Sequence, residues 1–162
     1  GRPSRYAGPY LRDALLGAGV LAETLETATT WSRLAGLREA VAGALKRSLA
    51  VDGTPPVVNC HISHIYPEGA SLYFTVAAAG GGDPAGRWRR AKHAAGDVIT
   101  ANGGTITHHH AVGTDHLPWM AEEVGALGGE VLRAVKRALD PDGVLNPGKL
   151  IPPAGSAPSG EV

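Results

Sequence analysis

The hydrophobic period of this chain switches from 3.6 to 2 and back to 3.6, and that order leaves few folds open. Trp31, Leu34, Leu37 or Arg38, Val41, Leu45 and Leu49 recur at steps of three and four, the spacing of one helix face. From Ser71 to Val76 the alternation is strict: Leu72, Phe74 and Val76 point one way, Ser71, Tyr73 and Thr75 the other. Val57–His64, with β-branched Val57, Val58 and Ile62, precedes that strand across the turn Tyr66-Pro67-Glu68-Gly69, so the two read as a hairpin. Helical spacing then returns from Pro84 to Ala101, where Trp88, Ala91, Ala95, Val98 and Ile99 mark the inner side and Asn102-Gly103-Gly104 the end.

The flanks extend this pattern. Pro9–Leu16 reads as a short helix and Val20–Leu25 as a strand, and Thr29 or Thr30 is expected to cap the helix after it through a side-chain oxygen. Asp52-Gly53-Thr54-Pro55-Pro56 is a turn, and Thr105–His110 reads as a further strand. Pro118 opens a last helix, Trp119–Leu139, with Val124, Leu127, Val131, Leu132, Val135 and Leu139 on one side, which Asp140-Pro-Asp-Gly143 stops. From Val20 to His110 the order is β-α-β-β-α-β. The expected fold is therefore α+β: a ferredoxin-like antiparallel sheet with helices on one face, plus a C-terminal helix. The expected division is a unit over 1–115, a second with the C-terminal helix over 116–151, and a disordered tail over 152–162, where apolar residues are scarce.

Charge excludes some functions. Lys plus Arg and Asp plus Glu number 15 each, so no long-range attraction to nucleic acid is expected. The cluster Arg87, Arg89, Arg90 and Lys92 reads as a solvated helix face. Cys60 is the one cysteine; it reads as a buried thiol in a reducing cytosol. Abundant Gly and Ala suggest a bacterial source, so a bacterial cytoplasm is the expected setting. No run of apolar residues is long enough for a membrane-spanning helix.

The strongest chemical signal is His108-His109-His110. Imidazole changes charge near neutral pH and serves as general acid, general base or hydrogen-bond donor. On a regular strand, His108 and His110 would face one way and His109 the other. His61 and His64 form a second cluster beside Cys60. A metal site needs three or four convergent ligands; with no second cysteine and no acidic residue at metal-motif spacing, no metal is expected. Tyr73 stands on the polar side of its strand as a candidate acid or base, and Arg12 offers a planar fork for phosphate or carboxylate. Gly80-Gly81-Gly82 lacks the Gly-Lys-Ser/Thr of a phosphate loop, and no GxGxxG follows a strand.

These segments resemble a known family. Gly104-Thr-Ile-Thr-His-His-His-Ala-Val-Gly113 is similar to the histidine-triplet segment of the alkyldihydroxyacetonephosphate synthases, a branch of the vanillyl-alcohol-oxidase superfamily of FAD-linked oxidases. Pro9-Tyr-Leu-Arg-Asp13, Glu23-Thr-Leu-Glu-Thr27 with Trp31, and Cys60-His-Ile-Ser-His64 with Tyr66 and Gly69–Phe74 resemble other segments of that branch. Asp140-Pro-Asp-Gly-Val-Leu-Asn-Pro-Gly-Lys149 resembles a signature shared across the superfamily. Ala111 departs from the pattern, since a glycine is usual after the triplet.

The resemblance implies a cap domain over an FAD that is bound mainly by an N-terminal domain absent from this chain. It implies Tyr73 as active-site acid or base, His108, His109 and His110 at the reaction centre, Arg12 on the substrate phosphate, and Asn146 and Lys149 near the flavin. The implied reaction exchanges the acyl group of acyl-dihydroxyacetone phosphate for an alkyl group, a step of ether-lipid formation. FAD-dependent oxidation of a 2-hydroxy acid or alcohol is the alternative, and a stand-alone, non-catalytic binding module is a third reading. The implied partners are a small-molecule or lipid-like substrate and the missing flavin half. A peripheral membrane contact and a homodimer are compatible with it; nucleic acid is not.

Overall fold

The computed structural model describes residues 2–51 and 53–151. The expected disordered tail, 152–162, and Asp52 of the expected turn lie outside the described residues. The elements are α1 (Arg2–Gly17), β1 (Val20–Thr30), α2 (Trp31–Leu49), β2 (Val57–Ile65), β3 (Gly69–Ala79), α3 (Pro84–Ala101), a 3-10 turn (Leu117–Trp119) and α4 (Met120–Leu139).

The sheet has the order β1-β3-β2, and β3 runs antiparallel to both neighbours. This is the split βαβ arrangement expected from the order of periods. Leu21 and Leu25 of β1 and Leu72, Phe74, Val76 and Ala78 of β3 are buried against Leu37, Val41, Leu45 and Leu49 of α2 and Ala91, Ala95 and Ile99 of α3. The small residues of α3 let it lie close to the sheet and to Trp119. A side chain at Gly96 would meet the Trp119 ring at 2.4 Å, so only glycine fits there.

Three expectations need correction. The first strand continues five residues past Leu25, to Thr30. Neither Thr29 nor Thr30 caps α2 with its side chain. Thr29 Oγ1 donates to Gly103 O at 2.9 Å, while the Trp31 N–H donates to Glu68 O at 3.1 Å. The β2–β3 turn thus satisfies a helix N-terminus that the sequence assigned to a local side chain.

The third correction is the fourth strand, which does not form. Thr105 N–H donates to Ala28 O at 2.9 Å beside β1. His109 and Ala111 then take positive φ, 45° and 66°, and His110 N–H folds back on His108 O at 2.7 Å. A ladder cannot continue through such backbone. Ala111 therefore occupies a left-handed conformation that glycine adopts without strain. The chain next packs Ile106, Trp119 and Met120 as a second, small core. Helix α4 follows, bent at Gly125 (φ 69°, ψ 173°), and its apolar row Leu127, Val131, Val135 and Leu139 is exposed.

Candidate functional site

The register determines which side chains share the face opposite α2 and α3. Leu25 pairs with Phe74 and Cys60 with Phe74, all toward the helices. One step along, Glu26 pairs with Tyr73 and His61 with Tyr73, so these three share the other face. A register shift between Ile62 and Ile65 interrupts β2. This bulge brings Ser63 and His64 together to Ser71: the Ser63 and Ser71 hydroxyls are 2.6 Å apart, and the His64 N–H donates to Ser71 Oγ at 2.9 Å.

Glu26 lies at the centre, with only 2% of its surface exposed. A carboxylate at that depth needs partners. The Ser63 hydroxyl donates to Oε1, and His108 Nδ1 lies 3.2 Å and His64 Nδ1 3.6 Å from the same oxygen. His109 Nε2 and His110 Nε2 stand 3.3 and 3.4 Å from Oε2, yet Oε2 receives no aligned hydrogen bond. Burial pushes the Glu26 carboxyl up, but the Ser63 and Ser71 hydroxyls with His109 and His108 more than offset this and hold it below its ordinary range.

The irregular backbone of the triplet makes this convergence possible. On a regular strand His109 would point away from its neighbours; here all three imidazoles reach the same carboxylate. Tyr66 reaches over from the β2–β3 turn, its hydroxyl 2.8 Å from His108 Nε2. The Tyr73 ring lies 5.3 Å from His61 and stands edge-on to His110 at 5.9 Å. The structure thus brings together Tyr73, His108, His109 and His110.

Glu26, Ser63 and Tyr66 were not singled out as site residues from the sequence. Glu26 had one legible signal. It sits on the same side of β1 as Ala22, Thr24 and Ala28, opposite the side that carries Leu21 and Leu25.

Arg12 is placed elsewhere. Its Nη2 donates to Glu23 Oε1 at 2.7 Å and its Nε to Ala22 O at 3.2 Å. It lines a cavity of about 720 Å³ with Trp88, Arg89, Lys92 and Trp119, and neither Tyr73 nor the triplet lines that cavity. The Arg87 guanidinium is not a solvated charge either, since it donates to Leu49 O at 2.7 Å and Gly80 O at 2.9 Å. Lys149 shares a cavity of about 500 Å³ with His110, Lys92 and His116. Asn146 is exposed, with φ 49°, and does not line that cavity. Burial pushes the Cys60 thiol up to about 11, which removes it as a nucleophile at neutral pH.

Asp140 shapes the segment that carries Lys149. It accepts from Val144 N–H at 3.0 Å and Leu145 N–H at 2.9 Å, and Lys136 binds the same carboxylate. The Lys136 ammonium and these amides hold its carboxyl below the ordinary value of 3.8. The acid therefore ionises more readily when folded. Its contribution is complete above the unfolded value and is lost as pH falls through the lower folded value. In Asp140→Ala the Val144 and Leu145 amides are expected to exchange hydrogen faster at neutral pH. Equal exchange rates in both proteins would remove Asp140 as the clamp.

Residues 2–150 match the family of FAD linked oxidases, C-terminal domain. The chain is 36% identical to an alkyldihydroxyacetonephosphate synthase of Caenorhabditis elegans over 93% of its own length and 26% of the relative's. It is 33% identical to the synthase of Trypanosoma brucei brucei over 91% of its own length and 24% of the relative's. A solved alkyldihydroxyacetonephosphate synthase superposes with a TM-score of 0.63 at 28% identity, covering 90% of this chain and 24% of that one. The chain thus spans about a quarter of the length of the curated relatives it matches. From the match over 2–150, and from the split βαβ sheet shared with a solved relative, this chain belongs to the FAD-linked oxidase C-terminal domain family.

Proposed function

We propose that the chain is the C-terminal, substrate-side portion of an FAD-dependent enzyme that exchanges the acyl group of acyl-dihydroxyacetone phosphate for an alkyl group. The observation that carries this reading is the gathering of Tyr73 and the three consecutive imidazoles on the uncovered face of the sheet. Residues 1–115 form the substrate side in this reading, and 116–151 return to the flavin-binding part. The Gly- and Ala-rich composition and lone cysteine support a bacterial cytoplasm as its setting.

The described residues fit one wall of a flavin site. Their sheet is antiparallel, with no strand, Gly-rich turn and helix unit to cradle a dinucleotide, so FAD would be held mainly by a part outside this chain. Lys149 and His110, which share a cavity, would face the ring, with Asn146 in the same segment. When bound, FAD supplies an electron sink that lets the exchange proceed without net redox change.

The chain's own residues handle protons and oxygens. Tyr73, acting as its phenolate, takes a proton from the substrate carbon and, as the phenol, returns it. His110, beside that phenol, donates a hydrogen bond to the departing carboxylate. The alcohol oxygen forms the new C–O bond, the ester C–O bond breaks, and the alcohol proton passes to the departing carboxylate, which leaves as the fatty acid. Arg12, paired with Glu23 in a cavity that neither Tyr73 nor the triplet lines, is given no part in this scheme.

The test is anaerobic incubation of the whole protein with acyl-dihydroxyacetone phosphate and a fatty alcohol. Release of fatty acid without a stoichiometric electron acceptor is expected. Turnover that depends on an acceptor would establish net oxidation of an alcohol or hydroxy acid instead.

A further inference from the structure

We propose that Glu26, His64, His108 and His109 form a binding site for one divalent transition metal ion of the zinc class. These residues come from β1, the bulge of β2 and the segment after α3, and one ligand atom from each lies within 4.8 Å of all the others. The inference goes beyond the exchange reaction and does not rest on it.

The contacts are looser than a closed ion pair. A charge-assisted imidazole–carboxylate hydrogen bond closes to about 2.7–2.9 Å. Here His108 Nδ1 and His64 Nδ1 stand 3.2 and 3.6 Å from Glu26 Oε1, His109 Nε2 stands 3.3 Å from Oε2, and the His108 and His109 Nδ1 atoms are 2.9 Å apart. Four donors placed about 2.0–2.1 Å from a tetrahedral ion stand about 3.3–3.4 Å apart along each edge. These distances scatter around that edge length, so the cluster is compact enough to close round an ion.

A second observation concerns Glu26 itself. Its side chain is fully buried, and Oε2 has imidazole nitrogens nearby but no hydrogen bond. A bare buried carboxylate oxygen is costly, and a cation satisfies it.

The outer contacts fit as well. A metal-bound imidazole usually engages its second nitrogen in a hydrogen bond that fixes the tautomer. His108 turns Nδ1 toward Glu26 while Nε2 meets the Tyr66 hydroxyl at 2.8 Å. Ser63 holds the other Glu26 oxygen. Three imidazoles and one carboxylate suit zinc or a neighbouring transition metal, whereas calcium and magnesium take oxygen ligands. Glu26 supplies the acidic ligand that the sequence lacks at motif spacing. The ion would pin the triplet to the sheet and leave His110 and Tyr73 facing the substrate.

The test uses the full chain, purified without a histidine tag and stripped with a chelator. Titration with zinc against a chromophoric competitor is expected to show one ion per chain. Cobalt is expected to give the strong visible d–d absorption of a four-coordinate site. His64 and His109 side chains are 50% and 53% exposed, so their removal spares the core. His64→Ala and His109→Ala are expected to weaken zinc at least about tenfold, while His61→Ala leaves it unchanged. Absence of saturable binding and of the cobalt bands in the unaltered chain would overturn the proposal. So would zinc affinity in His64→Ala equal to that of the unaltered chain, since the ion would then sit elsewhere.

Discussion

Replacing Tyr73 with phenylalanine in the whole protein is expected to lower turnover by about 10²–10⁴-fold, the usual contribution of one positioned acid or base. The flavin should remain bound. Phenylalanine keeps the ring, and with it the packing against His61 and His110 at 5.3 and 5.9 Å. Only the hydroxyl is lost, so a structural role predicts little change. The informative measurements are single-turnover fatty-acid release and the visible flavin spectrum of the same preparation. A variant that turns over at the original rate removes Tyr73 from the mechanism. One that loses both flavin and turnover shows that the hydroxyl supports the flavin site rather than moving a proton.

The sequence showed that Tyr73 occupies the polar side of its strand, because a period of two assigns faces without coordinates. It also showed the two long helices, the hairpin and the split βαβ order, each carried by a run of regular periodicity. Legibility failed where backbone leaves its regular period. Thr105–His110 has the composition of a strand, but positive φ at His109 and Ala111 turns it off the edge of β1. Alternation therefore put His109 on the wrong side, while the observed backbone sends it to the same carboxylate as His108 and His110. The bulge at Ser63 and His64 misleads in the same way, since these successive residues share Ser71 as a partner.

Glu26 was harder still. Its importance comes from what lies above it in space, and in sequence it is one polar residue among several in β1. Arg12 marks the opposite limit. Its chemistry suits phosphate, yet α1 sets it beside Glu23, facing a cavity that the triplet does not line. Residue type points to a ligand class; only the register and the turns say which groups meet.

The neighbour of Tyr73 is expected to behave in the reverse manner. Phe74 is fully buried, on the side of β3 that meets α2 and α3. Phe74→Ala removes a large ring from the centre of the main core and is expected to cost about 3–5 kcal/mol. For a chain of this size that lowers the melting temperature by about 6–20 °C. The loss appears as an earlier midpoint in thermal or urea unfolding of the chain. Tyr73→Phe, one residue away, is expected to leave that midpoint nearly unchanged. The contrast follows from the pleat, because successive side chains of one strand enter different environments. The helix-covered face carries the apolar core, and the uncovered face carries the ionisable groups. If both substitutions moved the midpoint equally, Tyr73 would be part of a second core, and the uncovered face could not be the surface on which substrate meets the imidazoles. If neither moved it, the register that pairs Leu25 with Phe74 would be wrong, and with it the placement of Glu26 opposite Tyr73.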